Sequence, residues 1–405
     1  MDGLEITTPF ARLVSERLGD EPFTLIDVGC SGGIHPTWRG FGDALRAFAF
    51  DPSVEEITRL SEAEDLPGVS YICGFVGLPS EHPHARRLAK REFWTRNPWD
   101  RLSIVRTLEL RAARLAKASL RERTEHNVWE KVILADASKP VILSEFLSNH
   151  AVHDIDFIKI DIDGADFLIL QSLKSILEGS NVLGVGIEVN FFGSDDPDTN
   201  TFHNVDRFMR SCGFELFNLS TRHYSAAALP APYLSSVPAQ GVWGRPLQGD
   251  AIYFRDAAAT ESLRWSSSAS PRKLAKLAAS FSLAGLPDCA AEILQQFRPE
   301  IETVMKVGVG LDCLISQCSI AKLPFRYDEY VAAFEADCEH FYAQSPSDMR
   351  NLGSSEDRNL RAEIARLSSE LAHLKDSRSW RMTAPFRAMG TALRRALLSF
   401  TGDSR

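Results

Sequence analysis

Lys159, Asp161 and Asp163 crowd into one short stretch of the run Ile155 to Leu173, IDFIKIDIDGADFLILQSL. A carboxylate pair beside a glycine can do two kinds of chemistry. It can take a proton from an acceptor as a general base, or hold a hard divalent cation through oxygen ligands. Glu188 closes a second apolar stretch, GVGIEVN, and Asp161, Asp163 and Glu188 are the candidate catalytic residues. Turn chemistry alone would also accommodate an acidic pair, since Asp suits turns and caps. Lys159, inside an otherwise apolar run, has no such explanation.

A second constellation lies upstream. FTLIDV (Phe23 to Val28) leads directly into Gly29-Cys30-Ser31-Gly32-Gly33, and FAFD ends in Asp51, 22 residues beyond Gly29. Glycines here let the backbone approach a ligand and leave amide N–H groups near a helix start. An acid closing the next strand is placed to accept hydrogen bonds from two ribose hydroxyls. Asp27, Gly29, Ser31, Gly32, Gly33 and Asp51 are the candidate cofactor-binding residues. The dinucleotide spacing G-x-G-x-x-G is absent, because Ser31 and Ile34 stand where the second and third glycines would fall.

Both constellations need strands to carry them. Apolar runs near 23–28, 46–51, 69–75, 155–162, 182–189, 214–219 and 250–255 read as seven strands, the central ones buried on both faces. Phe167, Leu170, Leu173 and Leu177 have the spacing of an amphipathic helix after the acidic pair. The acids therefore fall where strands hand over to helices, the edge at which open α/β sheets bind ligands.

These segments together resemble the FkbM family of S-adenosylmethionine-dependent O-methyltransferases. IDVGCSGG (Ile26 to Gly33), FAFDPS (Phe48 to Ser53), FIKIDIDGADFLILQSL (Phe157 to Leu173) and GVGIEVN (Gly184 to Asn190) carry the resemblance, which spans residues 20 to 256. It implies a Rossmann-like seven-strand methyltransferase sheet with an antiparallel last strand, S-adenosyl-L-methionine as cofactor, and methyl transfer to a hydroxyl. Two positions depart from the family pattern. Asp163 stands where Glu is usual, and Cys30 where another small residue is common. The residues leave a carboxylate base and a metal-assisted route both open, and a divalent metal is the less favoured; no metal ligand is assigned.

The chain's 405 residues exceed one core, so more than one domain is expected. A net charge of -9 argues against nucleic acid as the main partner. Seven cysteines without a C-x-x-C pair fit buried thiols in a reducing compartment. The acidic start MDGLEITTPF lacks signal-peptide character, and no run approaches the ~18 apolar residues of a spanning helix. A cytoplasmic protein is expected.

Domain 1–258 is read as the methyltransferase unit, with a basic helical insertion at 79–131. Between His84 and Lys131, 13 Lys/Arg face 6 Asp/Glu, and a solvated helical face explains this better than an anion site. After the linker SSSASP, a helical domain is expected over 271–345. Leu360, Ile364, Leu367, Leu371 and Leu374 then form a short coiled-coil seam within 357–376. The tail 377–402 mixes aromatic and aliphatic residues with arginines, suiting either an interfacial helix on anionic lipid or a partner-docking helix. It looks like the terminal segment of bacterial polysaccharide-biosynthesis enzymes.

The resulting expectation is O-methylation of a sugar hydroxyl on a surface polysaccharide or its precursor. The acceptor is then a glycan or glycolipid, self-association runs through the coiled coil, and contact with the inner face of the membrane runs through the tail. The competing class is a non-catalytic scaffold of a glycan-assembly complex that keeps the fold.

Overall fold

The computed structural model describes residues 8–90, 133–162, 164–179, 182–192, 196–225, 240–241, 244–259, 269–315 and 326–336. Asp163, most of the basic insertion (91–131), the coiled-coil seam and the tail lie outside these residues.

A lead-in helix, α1 (Pro9–Ser15), starts where Thr8 caps it by accepting from the Ala11 amide at 3.1 Å. The apolar runs then form β1 (Phe23–Val28), β2 (Leu45–Asp51) and β3 (Val69–Cys73), with α2 (Val54–Ala63) between the last two. Ser53 caps α2, accepting from the Glu56 amide. The second half brings β6 (Phe157–Ile160), β7 (Gly184–Asn190), β8 (Glu215–Tyr224), β9 (Gln240–Gly241) and β10 (Arg245–Phe254). Two short strands, β4 (Val76–Gly77) and β5 (Val141–Ile142), pair in parallel as a separate small sheet.

The main sheet runs β3-β2-β1-β6-β7-β10-β8-β9. Its order reverses between β1 and β6, and both pair in parallel. Such a switch point opens a crevice beyond the carboxyl ends of the strands. β10 is antiparallel to both neighbours, β7 and β8, as the family resemblance implies. The expected count of seven is corrected to eight, because two-residue β9 adds to the edge of β8 through His223 and Tyr224. Two strands also run longer than expected. Their polar residues, among them the exposed Ser220, the half-buried Arg222 and the buried Gln248, carry no apolar signal.

Each face of the sheet buries its own cluster. One unites Ile26, Ile158, Ile160, Val185 and Ile187 with Leu168, Ile169, Val205 and Met209 from the helices that follow β6 and β7. The other unites Leu25, Phe157 and Phe254 with α1, α2 and α8 (Pro271–Leu283). The division expected at 271 is not a division of this core. Phe281 of α8 packs on Phe254 and Phe217, with ring centroids 4.8 and 4.7 Å apart. One compact unit reaches Tyr330, and of the second only 331–336 are described. Among the described residues, no helix is long and apolar enough to cross a membrane.

Candidate active site

Strand register decides which side chains meet at the switch point. Asp27 of β1 stands opposite Lys159 of β6, Lys159 opposite Gly186, and Gly186 opposite Ile252 of β10. Side chains alternate between faces with period two. Asp161 and Glu188 therefore fall on the same face, one step nearer the carboxyl edge, and Glu188 pairs in register with Asp250. The candidate acids on β1, β6 and β7 thus share one face and one edge.

The glycine loop is built by close approach. Gly29 adopts φ +88°, and a Cβ there would stand 1.8 Å from the backbone oxygen of Asp161. Only glycine lets β1 and the end of β6 come this near. The loop's donors, however, are largely taken up inside the protein. The Gly29 and Cys30 amides donate to the Phe50 carbonyl, Gly33 donates to Cys30, and Gly32 donates to the Glu56 carboxylate at 2.8 Å. The expectation of amides presented to a ligand is corrected accordingly. These glycines supply shape and approach more than donors.

Lys159 joins the two constellations. Its ammonium donates to the Gly29 carbonyl at 2.5 Å and lies 3.2 Å from Asp27 and 3.6 Å from Asp161. Burial raises the pKa of Asp27 to about 6, although Lys159 pulls it down. Burial works against the Lys159 charge, but Asp27 and Asp161 outweigh it and hold the ammonium above its usual range. Asp51 is buried at the end of β2, and burial raises its pKa although the Ser53 amide, donating at 2.8 Å, opposes the rise. It does not line the cleft described next. Cys30 is buried and its thiol is pushed up by desolvation, which suits a small filler.

A cleft of about 560 Å³ opens over this edge, with Asp27, Ser31, Gly32, Gly33, Lys159, Asp161 and Glu188 in its wall. Two residues missed in the sequence join them: Arg222 of β8 and Asp250 of β10. The guanidinium bonds Glu188 at 2.7 Å and Asp250 at 3.0 Å. Burial opposes the Arg222 charge, while Asp250 and Glu188 raise its pKa overall. Trp38 adds an aromatic wall, its ring 4.5 Å from that of Phe157. Another missed residue, the buried Asp166, ties Ile162 and Gly164 to the start of the following helix. Its two oxygens accept from the Ile162 and Gly164 amides at 2.8 and 2.7 Å. His203 is exposed on the helix Phe202–Ser211 and is not in the cleft wall. Among the described residues, no group of three or more His, Cys, Asp or Glu is arranged to hold a metal ion.

Residues 116–216 match the family model described as the methyltransferase FkbM domain. The match takes in β6, the acidic turn and β7, and stops short of the glycine loop. The similarity to that domain thus covers the central stretch of the chain. No curated protein matches. Among solved structures, the chain is similar to a SAM dependent methyltransferase from Aquifex aeolicus. Identity is 10%, covering 61% of this chain and 90% of that one, at a TM-score of 0.25. An S-adenosylmethionine dependent methyltransferase from Listeria monocytogenes gives 12% identity, 61% and 97% coverage, and a TM-score of 0.28. At these scores the likenesses add no argument to the family match.

Proposed function

We propose that this protein is an S-adenosylmethionine-dependent O-methyltransferase whose acceptor is a sugar hydroxyl, on a surface polysaccharide or its lipid-linked precursor. The observation that carries the reading is the convergence of the glycine loop and the edge carboxylates on one cleft at the switch point. The loop fits the cofactor through Ser31, Gly32 and Gly33, which line the cleft, with open space beside Gly32 where a Cβ would stand. Asp27, Gly29, Ser31, Gly32 and Gly33 would hold it, with Asp51 next to the loop at the end of β2. When bound, the cofactor supplies an electrophilic methyl group.

The chain's own task is to orient the acceptor and receive its proton. Asp161 is the open carboxylate of the cleft, its side chain 44% exposed, and it is assigned as the base. Glu188 is buried and engaged by Arg222, so it orients rather than accepts. Arg222 between two carboxylates presents planar polar groups that match adjacent hydroxyls, and Trp38 offers a ring face. Both features support a hydroxyl-rich acceptor. Asp163 lies outside the described residues and is kept as a candidate on its place in the sequence. Attachment of the tail to anionic lipid or a partner helix, and pairing through the heptads, belong to this proposal and rest on composition alone.

Calorimetric titration tests the cofactor. Binding of S-adenosylmethionine, with none of NAD, is expected; the reverse overturns the reading. Methyl-labelled cofactor incubated with a lipid-linked saccharide pool should leave base-stable label on sugar. Label found only on protein or as a base-labile ester would overturn the acceptor. Asp161→Asn should cut turnover by about a hundredfold or more with cofactor affinity near normal.

A further inference from the structure

Lys159 is the charged group that the proposed chemistry does not use. Its ammonium has three protons and three oxygen-bearing neighbours: the Gly29 carbonyl, Asp27 and Asp161. With its charge held by two carboxylates, it serves neither as a base nor as a nucleophile. A simple space-filling role fails as well, because an aliphatic residue would continue the apolar pattern of β6 but would leave Asp27 buried without its ammonium partner.

We propose that Lys159 is a positioning residue, a pin that holds the glycine loop and the carboxylates Asp27 and Asp161 in donor-binding geometry before the donor arrives. The inference rests on the cofactor reading above. Two contacts converge on one residue to support it. Gly29 is fixed from its Cα side by the Asp161 backbone oxygen, which leaves no room for a Cβ, and from its carbonyl side by Lys159. The loop conformation is thus tied to β6 at two points. The ammonium also sits between an acid on β1 and an acid past the end of its own strand, so one charge sets the spacing of both. Preorganisation of this kind gains affinity by removing the cost of ordering the loop on binding.

Other charged or titratable groups face Lys159 from the surrounding elements. They are Cys30 in the loop, Asp51 at the end of β2 and Asp250 on β10. None of these three bonds the ammonium, so Asp27, Asp161 and the Gly29 carbonyl define the pin.

The test compares Lys159→Met, Lys159→Gln and Lys159→Arg with the full-length chain. Amide hydrogen exchange is followed at Gly29 to Gly33 without ligand, and S-adenosylmethionine is titrated calorimetrically. Lys159→Met should speed loop exchange and weaken binding at least tenfold while the unfolding transition stays cooperative. Lys159→Arg should restore part of both. Lys159→Gln, which can donate to Gly29 without a charge, should fall between them and stands in if the Met variant does not fold. Unchanged exchange and affinity in the Met and Gln variants would overturn the pin. If the wild-type chain binds no S-adenosylmethionine, the cofactor reading fails. The ligand-free exchange data then decide the pin alone, faster loop exchange in the variants supporting it and unchanged exchange overturning it.

Discussion

The two edges of the sheet each carry a lysine–aspartate cluster, and β6 passes between them. At the amino edge, Asp156 is fully buried and accepts from Lys273 at 2.7 Å, Lys276 at 3.0 Å and the Thr24 amide at 2.7 Å. Both lysines come from α8 and are themselves buried, and each also donates to a backbone carbonyl, Ile155 and Pro22. At the carboxyl edge, three residues along, Lys159 meets Asp27 and Asp161 with 27% of its side chain exposed, in the wall of a cleft. The same residue types therefore do different work. The sealed cluster satisfies its groups within the protein and fastens a helix. The open one leaves charge facing a space that a ligand can fill.

The largest expected effect falls on the sealed cluster. Asp156→Ala removes the buried carboxylate and leaves the two buried ammonium groups with the half-exposed Asp154, 2.6 Å from Lys273 and 3.8 Å from Lys276. Breaking a buried pair costs about 3–5 kcal/mol, and Asp154 brings the expected loss to the lower end of that range. Urea unfolding should show that loss, whereas the fraction still folded should titrate S-adenosylmethionine with near-normal affinity. A cost under about 1 kcal/mol, or lost affinity in the folded fraction, would erase the distinction between the edges.

Gly29→Ala comes next and strikes the open edge. A residue with a Cβ at φ +88° bears about 1–3 kcal/mol of strain, and here the added atom also meets the Asp161 backbone oxygen. Relief requires the loop to move away from β6. Cofactor binding should fall more than tenfold while unfolding shows a cost within that range. If affinity survives, the close approach of loop and strand is not what forms the site.

How much of this was legible follows from where the residues sit. Asp27, Asp51, Asp161 and Glu188 end or nearly end apolar strands, so a strand reading already places them at one edge. Arg222 and Asp250 lie inside long strands, Arg222 within the unbroken polar run Ser220-Thr221-Arg222-His223. That they reach the cleft depends on the antiparallel return of β10 and on register shifts against β8. No local pattern encodes that pairing. Nothing local in the sequence ties Lys273 and Lys276 to Asp154 and Asp156, more than a hundred residues away, which they meet in the fold. The linker SSSASP therefore reads as the start of a separate domain. The two residues of β9 are too few for any periodicity to reveal.

Acidification should move the two properties of the open cluster in opposite directions. The folded-state pKa of Asp27 lies at about 6, above the ordinary 3.8, so its ionisation costs folding free energy. That cost is absent below the ordinary value, grows as pH rises from about 4 to about 6, and stays constant above. Between pH 7 and pH 5, Asp27 thus becomes neutral and its contribution to stability improves. Neutral Asp27 also releases Lys159, so cofactor affinity should weaken, by about tenfold one unit below the pKa, or about 1.4 kcal/mol. Asp27→Asn should flatten both dependences. Affinity and stability falling together, unchanged in that variant, would assign the acid limb to another group.

The smallest effect tests a third cluster, which stands between the other two in burial. Glu188 is buried as Asp156 is, but its partner Arg222 is 29% exposed and lies in the cleft wall. If this cluster is a fastener, Arg222→Lys should chiefly lower stability. If it belongs to the open edge, the charge survives and the fold is nearly unaffected, within about 1 kcal/mol. Nη2 alone makes the bonds to both Glu188 and Asp250, so what changes is the guanidinium plane and its remaining N–H donors, which an ammonium does not reproduce. The acceptor KM should then rise a few-fold with cofactor affinity and turnover almost unchanged. Uniform binding lost in this way marks a group that holds the acceptor equally before and during reaction. A fall in turnover at constant KM would instead place Arg222 beside Asp161 in the chemical step, and would move the boundary between orienting and reacting residues to β8.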